Sequence, residues 1–113
     1  MTTRYRIIIL PEAQQDIRDI ILYIAGELGA PDAALNLQDS FEEALKSLTE
    51  MPERIKTIDE QPWKDLGVRK IRVENYYIYF IISTAEHTVK IMAVIYTGRD
   101  QKRQMTERKM DEL

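Results

Sequence analysis

The chain has 113 residues, of which 44% are hydrophobic and 31% are charged. This composition is typical of a globular protein and excludes a disordered chain. The lack of cysteine excludes a disulfide scaffold and a thiol nucleophile, and the single histidine excludes a multi-histidine metal centre. No apolar stretch approaches the roughly 20 residues that span a bilayer. We expect no signal peptide, because Met1-Thr2-Thr3-Arg4 leads directly into a strand-like segment. We therefore expect one domain over residues 1–113, located in the cytoplasm.

The formal net charge of −3 is unevenly distributed along the chain. Residues 1–63 carry six basic and twelve acidic side chains, a net charge of −6. Residues 64–113 carry ten basic and seven acidic side chains, a net charge of +3. The total charge alone would argue against a nucleic-acid partner, but the basic second half makes that exclusion unsafe.

The first half of the chain predicts a strand followed by two helices. Residues 5–10 are rich in β-branched side chains and too short for a buried helix, which indicates a strand. Pro11 ends this strand and fits the first turn of a helix that Gly29 terminates. Asp32 is a plausible cap for a second helix, which Pro52 bounds. Apolar residues recur at helical spacing in both: Ala13, Ile17, Ile20, Ile21, Ile24 and Leu28, then Ala34, Leu37, Phe41, Ala44, Leu45 and Leu48. The pair forms an antiparallel hairpin with one apolar face on each helix.

The second half predicts a sheet that covers this hairpin. Residues 53–67 are polar and indicate a loop, with at most a short edge strand. Strands follow at 68–73, at 76–82, where a continuous apolar run indicates burial on both faces, and at 89–96, where alternation indicates one buried face. The tail 99–113 predicts a weak helix with little core to hold it. The expected fold is α+β: an N-terminal strand, a helical hairpin, then a three-stranded antiparallel meander.

Short motifs with a common order and spacing extend from about residue 4 to residue 103. They are Pro11-Glu12-Ala13, Asp16-Ile17, Ile20 to Ile24, Leu48 to Pro52, Gly67-Val68-Arg69-Lys70-Ile71, Tyr76 to Ile82, and Ile95-Tyr96-Thr97-Gly98-Arg99-Asp100. Together they resemble the RelE/ParE superfamily of toxins from bacterial type II toxin–antitoxin modules. The resemblance implies the fold described above.

The resemblance also implies a function in plasmid stabilisation and growth inhibition, with two alternative targets. ParE-like members poison DNA gyrase without cutting nucleic acid themselves, whereas RelE-like members cleave mRNA in the ribosomal A site. The implied partner is a cognate antitoxin protein, through which the toxin meets DNA only indirectly. No cofactor, metal or membrane is implied.

Metal-free RNA cleavage needs a base, an acid and cations that stabilise the phosphorane. The resemblance makes the following side chains candidates for these functions in a RelE-like enzyme: Arg69, Arg72, Tyr96 and Arg99, with Lys102 and Arg103 as further cations. The tail tyrosine of RelE-like enzymes has no match, since Met105 lies nearest, and His87 lies in a turn rather than at a strand end. We therefore favour gyrase inhibition, with the ribosome-dependent mRNA endonuclease as the alternative. A degenerate member that only binds a partner is a third interpretation.

Structural explanations compete with each of these candidate functions. Arg69 and Arg72 can belong to a solvated strand face, Tyr96 can be a packing residue, and the aromatic run Tyr76–Phe80 is best explained by burial. If the basic residues do form a groove on the sheet, an acidic and apolar antitoxin segment would neutralise Arg69 and Arg72 there.

Overall fold

The computed structural model describes residues 4–108, which form a four-stranded sheet with two helices on one face. The strands are β1 (Arg6–Ile9), β2 (Arg69–Val73), β3 (Tyr76–Ser83) and β4 (Thr88–Tyr96), in the order β1-β4-β3-β2. The predicted antiparallel meander of β2, β3 and β4 is confirmed. The sheet as a whole is mixed, because β1 pairs with β4 in parallel.

Two α-helices connect β1 to the meander, which confirms the predicted hairpin. They are α1 (Pro11–Leu22), which continues into a π-helical turn (Tyr23–Glu27), and α2 (Pro31–Ser47). The prediction that Asp32 caps α2 is wrong, because the helix begins at Pro31 and Asp32 lies inside its first turn. A proline fits that first position, since it lacks the backbone N–H that would otherwise have no helical partner.

The apolar faces of the helices form one core with the sheet. Its buried side chains come from both helices, from the residue that follows α2, and from all three meander strands. They are Ala13, Leu37, Phe41, Leu48, Val73, Ile78, Phe80, Val89, Ile91 and Val94. Phe41 meets the ring of Tyr76 edge to face, with ring centroids 5.7 Å apart. This packing keeps the helical hairpin over the sheet.

A second core lies on the opposite face of the sheet. It contains Ile58, Trp63, Val68, Tyr79, Met92, Ala93, Ile95 and Met105. The predicted loop is confirmed as largely irregular, with a 3₁₀ turn (Pro52–Arg54) and a single bridge between Thr57 and Arg69. Because Trp63 and Ile58 bring this segment onto the sheet, β4 is buried on both faces, and the prediction of one buried face is wrong.

The polar C-terminal segment contains a short helix, α3 (Gln101–Thr106), whose first turn is capped by the carboxylate of Asp100. The prediction that this segment has little core is wrong, since Met105 is only 2% exposed and packs in the second core. The rest of the predicted tail, 109–113, lies outside the described residues. Within residues 4–108, no helix is both long and apolar enough to cross a membrane.

Candidate functional site

The two strand arginines among the candidate residues lie on opposite faces of the sheet. Arg69 is paired with Phe80 on the helix-covered face, and Arg72 is paired with Tyr77 on the other. The Arg69 guanidinium donates hydrogen bonds to the carbonyl oxygens of Glu53 and Ile55. Arg69 therefore ties the segment after α2 to the start of β2.

Arg72 lies near the other end of β2, beside the turn into β3. It is exposed, and its Nε donates to the carbonyl oxygen of Glu74 at 2.9 Å. Tyr96 pairs with Tyr76, and their rings are 5.8 Å apart on the helix-covered face. Arg72 is thus separated from Tyr96 by the thickness of the sheet, and the four candidate residues do not lie together.

Tyr96 and Arg99 are brought together, because both line one open groove of about 830 Å³. We call this feature the Tyr96 groove; α1, its π-helical turn and the start of α2 form one wall, and the end of β4 with α3 forms the other. Its apolar lining includes Ile20, Tyr23, Ile24, Leu28, Tyr76 and Tyr96. Tyr23, Leu28 and Tyr96 are 55%, 58% and 49% exposed, and large apolar side chains concentrated around one groove mark a binding surface.

The sequence pattern places Leu28 on the buried face of the first helix, and this prediction is wrong. The π-helical turn is the reason, because the N–H of Leu28 bonds to the carbonyl oxygen of Tyr23, five residues back, at 3.0 Å. The additional residue in this turn rotates Leu28 away from the buried stripe and towards the groove.

Charged side chains from both halves of the chain meet in the same groove. Arg108 contacts the carboxylates of Asp16 at 2.9 Å and Glu12 at 3.4 Å. The acidic first half and the basic second half of the chain therefore meet at this point through an ion pair. Arg99 is exposed and forms no ion pair with any residue between 4 and 108, so its charge is available to an acidic partner.

Asp16 completes the hydrogen bonding of β4. The hydrogen bonds between β1 and β4 end where the N–H of Leu10 donates to the carbonyl oxygen of Ile91. Beyond this point β1 no longer runs beside β4, so the N–H of Val94 on that edge of β4 has no strand partner. The Asp16 carboxylate accepts from this N–H at 2.9 Å. The sequence alone did not predict that Asp16 would bond to a strand. The available signal was an acidic residue beside the apolar face of α1, next to Ala13 and Ile17.

Burial raises the pKa of Asp16 above its ordinary value of 3.8, although the hydrogen bonds from Arg108 and Val94 act in the opposite direction. The folded protein thus holds this proton more tightly than the unfolded chain does. The bound proton therefore adds most to stability below about pH 3.8, and this proton-linked part is lost as the pH rises through the folded-state pKa. The contacts of the carboxylate with Val94 and Arg108 remain above that pH.

An NMR titration of the Asp16 carboxyl carbon is expected to give a pKa above 3.8 in the wild-type chain. Arg108→Gln is expected to raise this pKa further, because the interactions with Arg108 that lower it are removed. Arg103→Gln, which removes an exposed arginine paired with Glu107, serves as the control and leaves it unchanged. An Asp16 pKa that does not respond to Arg108→Gln would contradict this description of the pair.

Comparisons with known proteins bear on the fold and the family of the chain. No curated protein matches the chain. A solved structure of a chromosomal ParDE toxin–antitoxin system from P. aeruginosa has the same fold, with a TM-score of 0.67 and 19% identity over 82% of this chain and 96% of that chain. The RelBE2 toxin–antitoxin complex from Mycobacterium tuberculosis matches with a TM-score of 0.59 and 18% identity over 85% of this chain and 94% of that chain. The family model of the ParE toxin of the type II toxin–antitoxin system parDE matches residues 7–101. The chain therefore belongs to the ParE toxin family of type II toxin–antitoxin systems.

Proposed function

We propose that this toxin inhibits DNA gyrase and that its cognate antitoxin neutralises it by covering the Tyr96 groove. It would act in the bacterial cytoplasm, where gyrase and the antitoxin are both present, and a plasmid that carries the module would be stabilised by it. The match to the ParE toxin family supports an antitoxin partner, and the placement of the candidate residues supports gyrase as the target.

The observation that carries the choice of gyrase is the dispersal of the candidate catalytic residues. Cleavage of RNA without a metal requires a base, an acid and cations around one phosphate. Arg69 is held by backbone carbonyls at one end of the sheet, and Arg72 lies on the face opposite Tyr96. An inhibitor that acts by binding a protein needs no such cluster.

The second candidate function is a ribosome-dependent mRNA endonuclease of RelE type. It is supported by Tyr96 and Arg99, which line one groove and could supply an acid and a phosphate-binding cation. In that case Arg69 and Arg72 would contribute only if the ribosome changed their surroundings.

Induction of the chain in bacteria without an antitoxin separates the two functions. Gyrase inhibition is expected to give filamentous cells, broken DNA and an SOS response. A rapid loss of translation with transcripts cut inside codons would overturn gyrase in favour of the endonuclease, and normal growth would overturn both.

The antitoxin surface can be tested by single substitutions in the groove. Tyr96→Ala and Arg99→Glu are each expected to weaken antitoxin binding by about 10- to 100-fold, the usual effect of losing a central aromatic or arginine contact. Isothermal titration calorimetry with the product of the adjoining gene measures this change. Arg99→Glu should also flatten the dependence of affinity on salt, because the contact of Arg99 with an acidic segment is electrostatic.

Arg72→Glu is the matched control for Arg99→Glu. Both substitutions reverse the charge of an exposed arginine, but Arg72 lies on the face of the sheet away from the groove. We expect the control to change the affinity less than about twofold, because the charge of Arg72 is exposed on the face opposite the groove. Equal losses from the two charge reversals would contradict the assignment of the antitoxin to the Tyr96 groove.

A further inference from the structure

The two groove residues Tyr96 and Arg99 are presented by one short turn between β4 and α3. The N–H of Arg99 donates to the carbonyl oxygen of Tyr96 at 3.0 Å, and the N–H of Thr97 donates to that of Asn75 at 2.9 Å. The turn packs closely, because a Cβ at Gly98 would clash with the ring edge of Tyr96. The position of the Tyr96 ring therefore depends on the conformation of this turn.

The side chain of Gln101 holds the same turn through its amide group. Its Nε2 donates to the carbonyl oxygens of Tyr96 at 2.7 Å and Arg99 at 2.9 Å. Both N–H bonds of the amide are thus committed to the residues that present the groove side chains.

The other end of this amide is anchored in the second core. Gln101 Oε1 accepts a hydrogen bond from the hydroxyl of Tyr79 at 2.9 Å. Tyr79 is 2% exposed, and burial raises its pKa to about 12, so the hydroxyl remains a donor at neutral pH. Tyr79 belongs to β3, which is paired with β2 on one side and β4 on the other, so the anchor is held by the sheet.

We propose that Gln101 is a positioning residue, which fixes Tyr96 and Arg99 for antitoxin binding by joining their turn to Tyr79 on the opposite face of the sheet. This inference rests on the proposed antitoxin function of the groove. In this proposal Gln101 does not contact the antitoxin. It acts by holding the carbonyl groups of Tyr96 and Arg99. The second core thereby controls a binding surface on the other side of the sheet.

Gln101→Glu tests the proposal with almost no change in shape. A carboxylate still accepts from the Tyr79 hydroxyl, but it cannot donate to the carbonyls of Tyr96 and Arg99. The affinity for the purified antitoxin from the adjoining gene is expected to fall about tenfold or more, as when a well-placed contact is lost. Gln38→Glu, the same change on the exposed surface of α2, is the control and leaves the affinity unchanged.

A double-mutant cycle distinguishes positioning from a general loss of structure. In the Tyr96→Ala, Arg99→Ala background, Gln101→Glu should change the affinity less than about twofold, because the side chains it positions are absent. An equal loss in both backgrounds, or no loss in either, would overturn the proposal. If Gln101→Glu does not fold, Tyr79→Phe replaces it in the same cycle, since it removes the anchor and leaves the amide in place.

The free toxin provides a measurement that does not depend on the antitoxin. The ring signals of Tyr96 in the NMR spectrum are expected to shift in Gln101→Glu and to stay in place in Gln38→Glu. If the wild-type chain binds no antitoxin while the Tyr96 signals shift as expected, the proposed function fails and the positioning of Tyr96 by Gln101 stands. If the antitoxin binds and the Tyr96 signals do not shift, the proposal for Gln101 fails.

Discussion

Met105→Ala is expected to lower the free energy of unfolding by about 3 kcal/mol, the usual loss when a buried methionine is truncated. Met105 is 2% exposed and belongs to the second core together with Trp63 and Tyr79. It is the buried residue of α3, so its truncation leaves a cavity and removes the main apolar contact of that helix. Since α3 begins at Gln101, weaker antitoxin binding should accompany the loss of stability.

Urea denaturation followed by tryptophan fluorescence measures this effect, because Trp63 lies in the same core. Met105→Leu is the matched control; it keeps nearly the same volume and should cost less than about 1.5 kcal/mol. A Met105→Ala variant within about 0.5 kcal/mol of wild type, the range of ordinary surface substitutions, would show that α3 does not contribute to the core.

Asp16→Ala is expected to cost about 2–3 kcal/mol, because it leaves the N–H of Val94 and the guanidinium of Arg108 without their shared acceptor. Val94 is 3% exposed, and the Arg108 and Asp16 side chains are only 16% and 20% exposed. Water therefore replaces the lost carboxylate poorly, although Glu12 remains to pair with Arg108.

Asp16→Asn separates the two parts of this loss. Its amide oxygen can still accept from Val94, so we expect a smaller cost than for Asp16→Ala, measured by the same urea denaturation. If both substitutions have equal and negligible effects, Asp16 does not replace a missing strand partner for the N–H of Val94 in β4.

Local patterns in the sequence predicted the helices and the meander strands, because each has a periodic apolar face. The failures depend on contacts between distant segments. The burial of β4 on both faces requires Trp63 and Met105, which no pattern within the strand reveals. The exposure of Leu28 follows from a π-helical turn, which shifts the helical period that its prediction assumed.

Of the four candidate residues, the structure brings together two, Tyr96 and Arg99, and the difference again depends on local against distant contacts. Tyr96 and Arg99 are close in sequence and share one turn, so their proximity follows from local structure. Arg69 and Arg72 are three positions apart in one strand, and side chains at odd spacing point to opposite faces. That rule already argued against a cluster of the two arginines. The pairing of Asp16 with Arg108, 92 residues later, could not be predicted from either segment alone.

Inhibition of gyrase can be measured directly with purified components. The chain of residues 1–113 is mixed with the gyrase holoenzyme, ATP and relaxed plasmid, and the DNA products are separated on agarose gels. The expected result is dose-dependent loss of supercoiling, with cleaved plasmid trapped on gyrase, while mRNA on programmed ribosomes stays intact. Unchanged supercoiling at a stoichiometric excess of the chain, together with cleavage of the ribosome-bound mRNA, would contradict it.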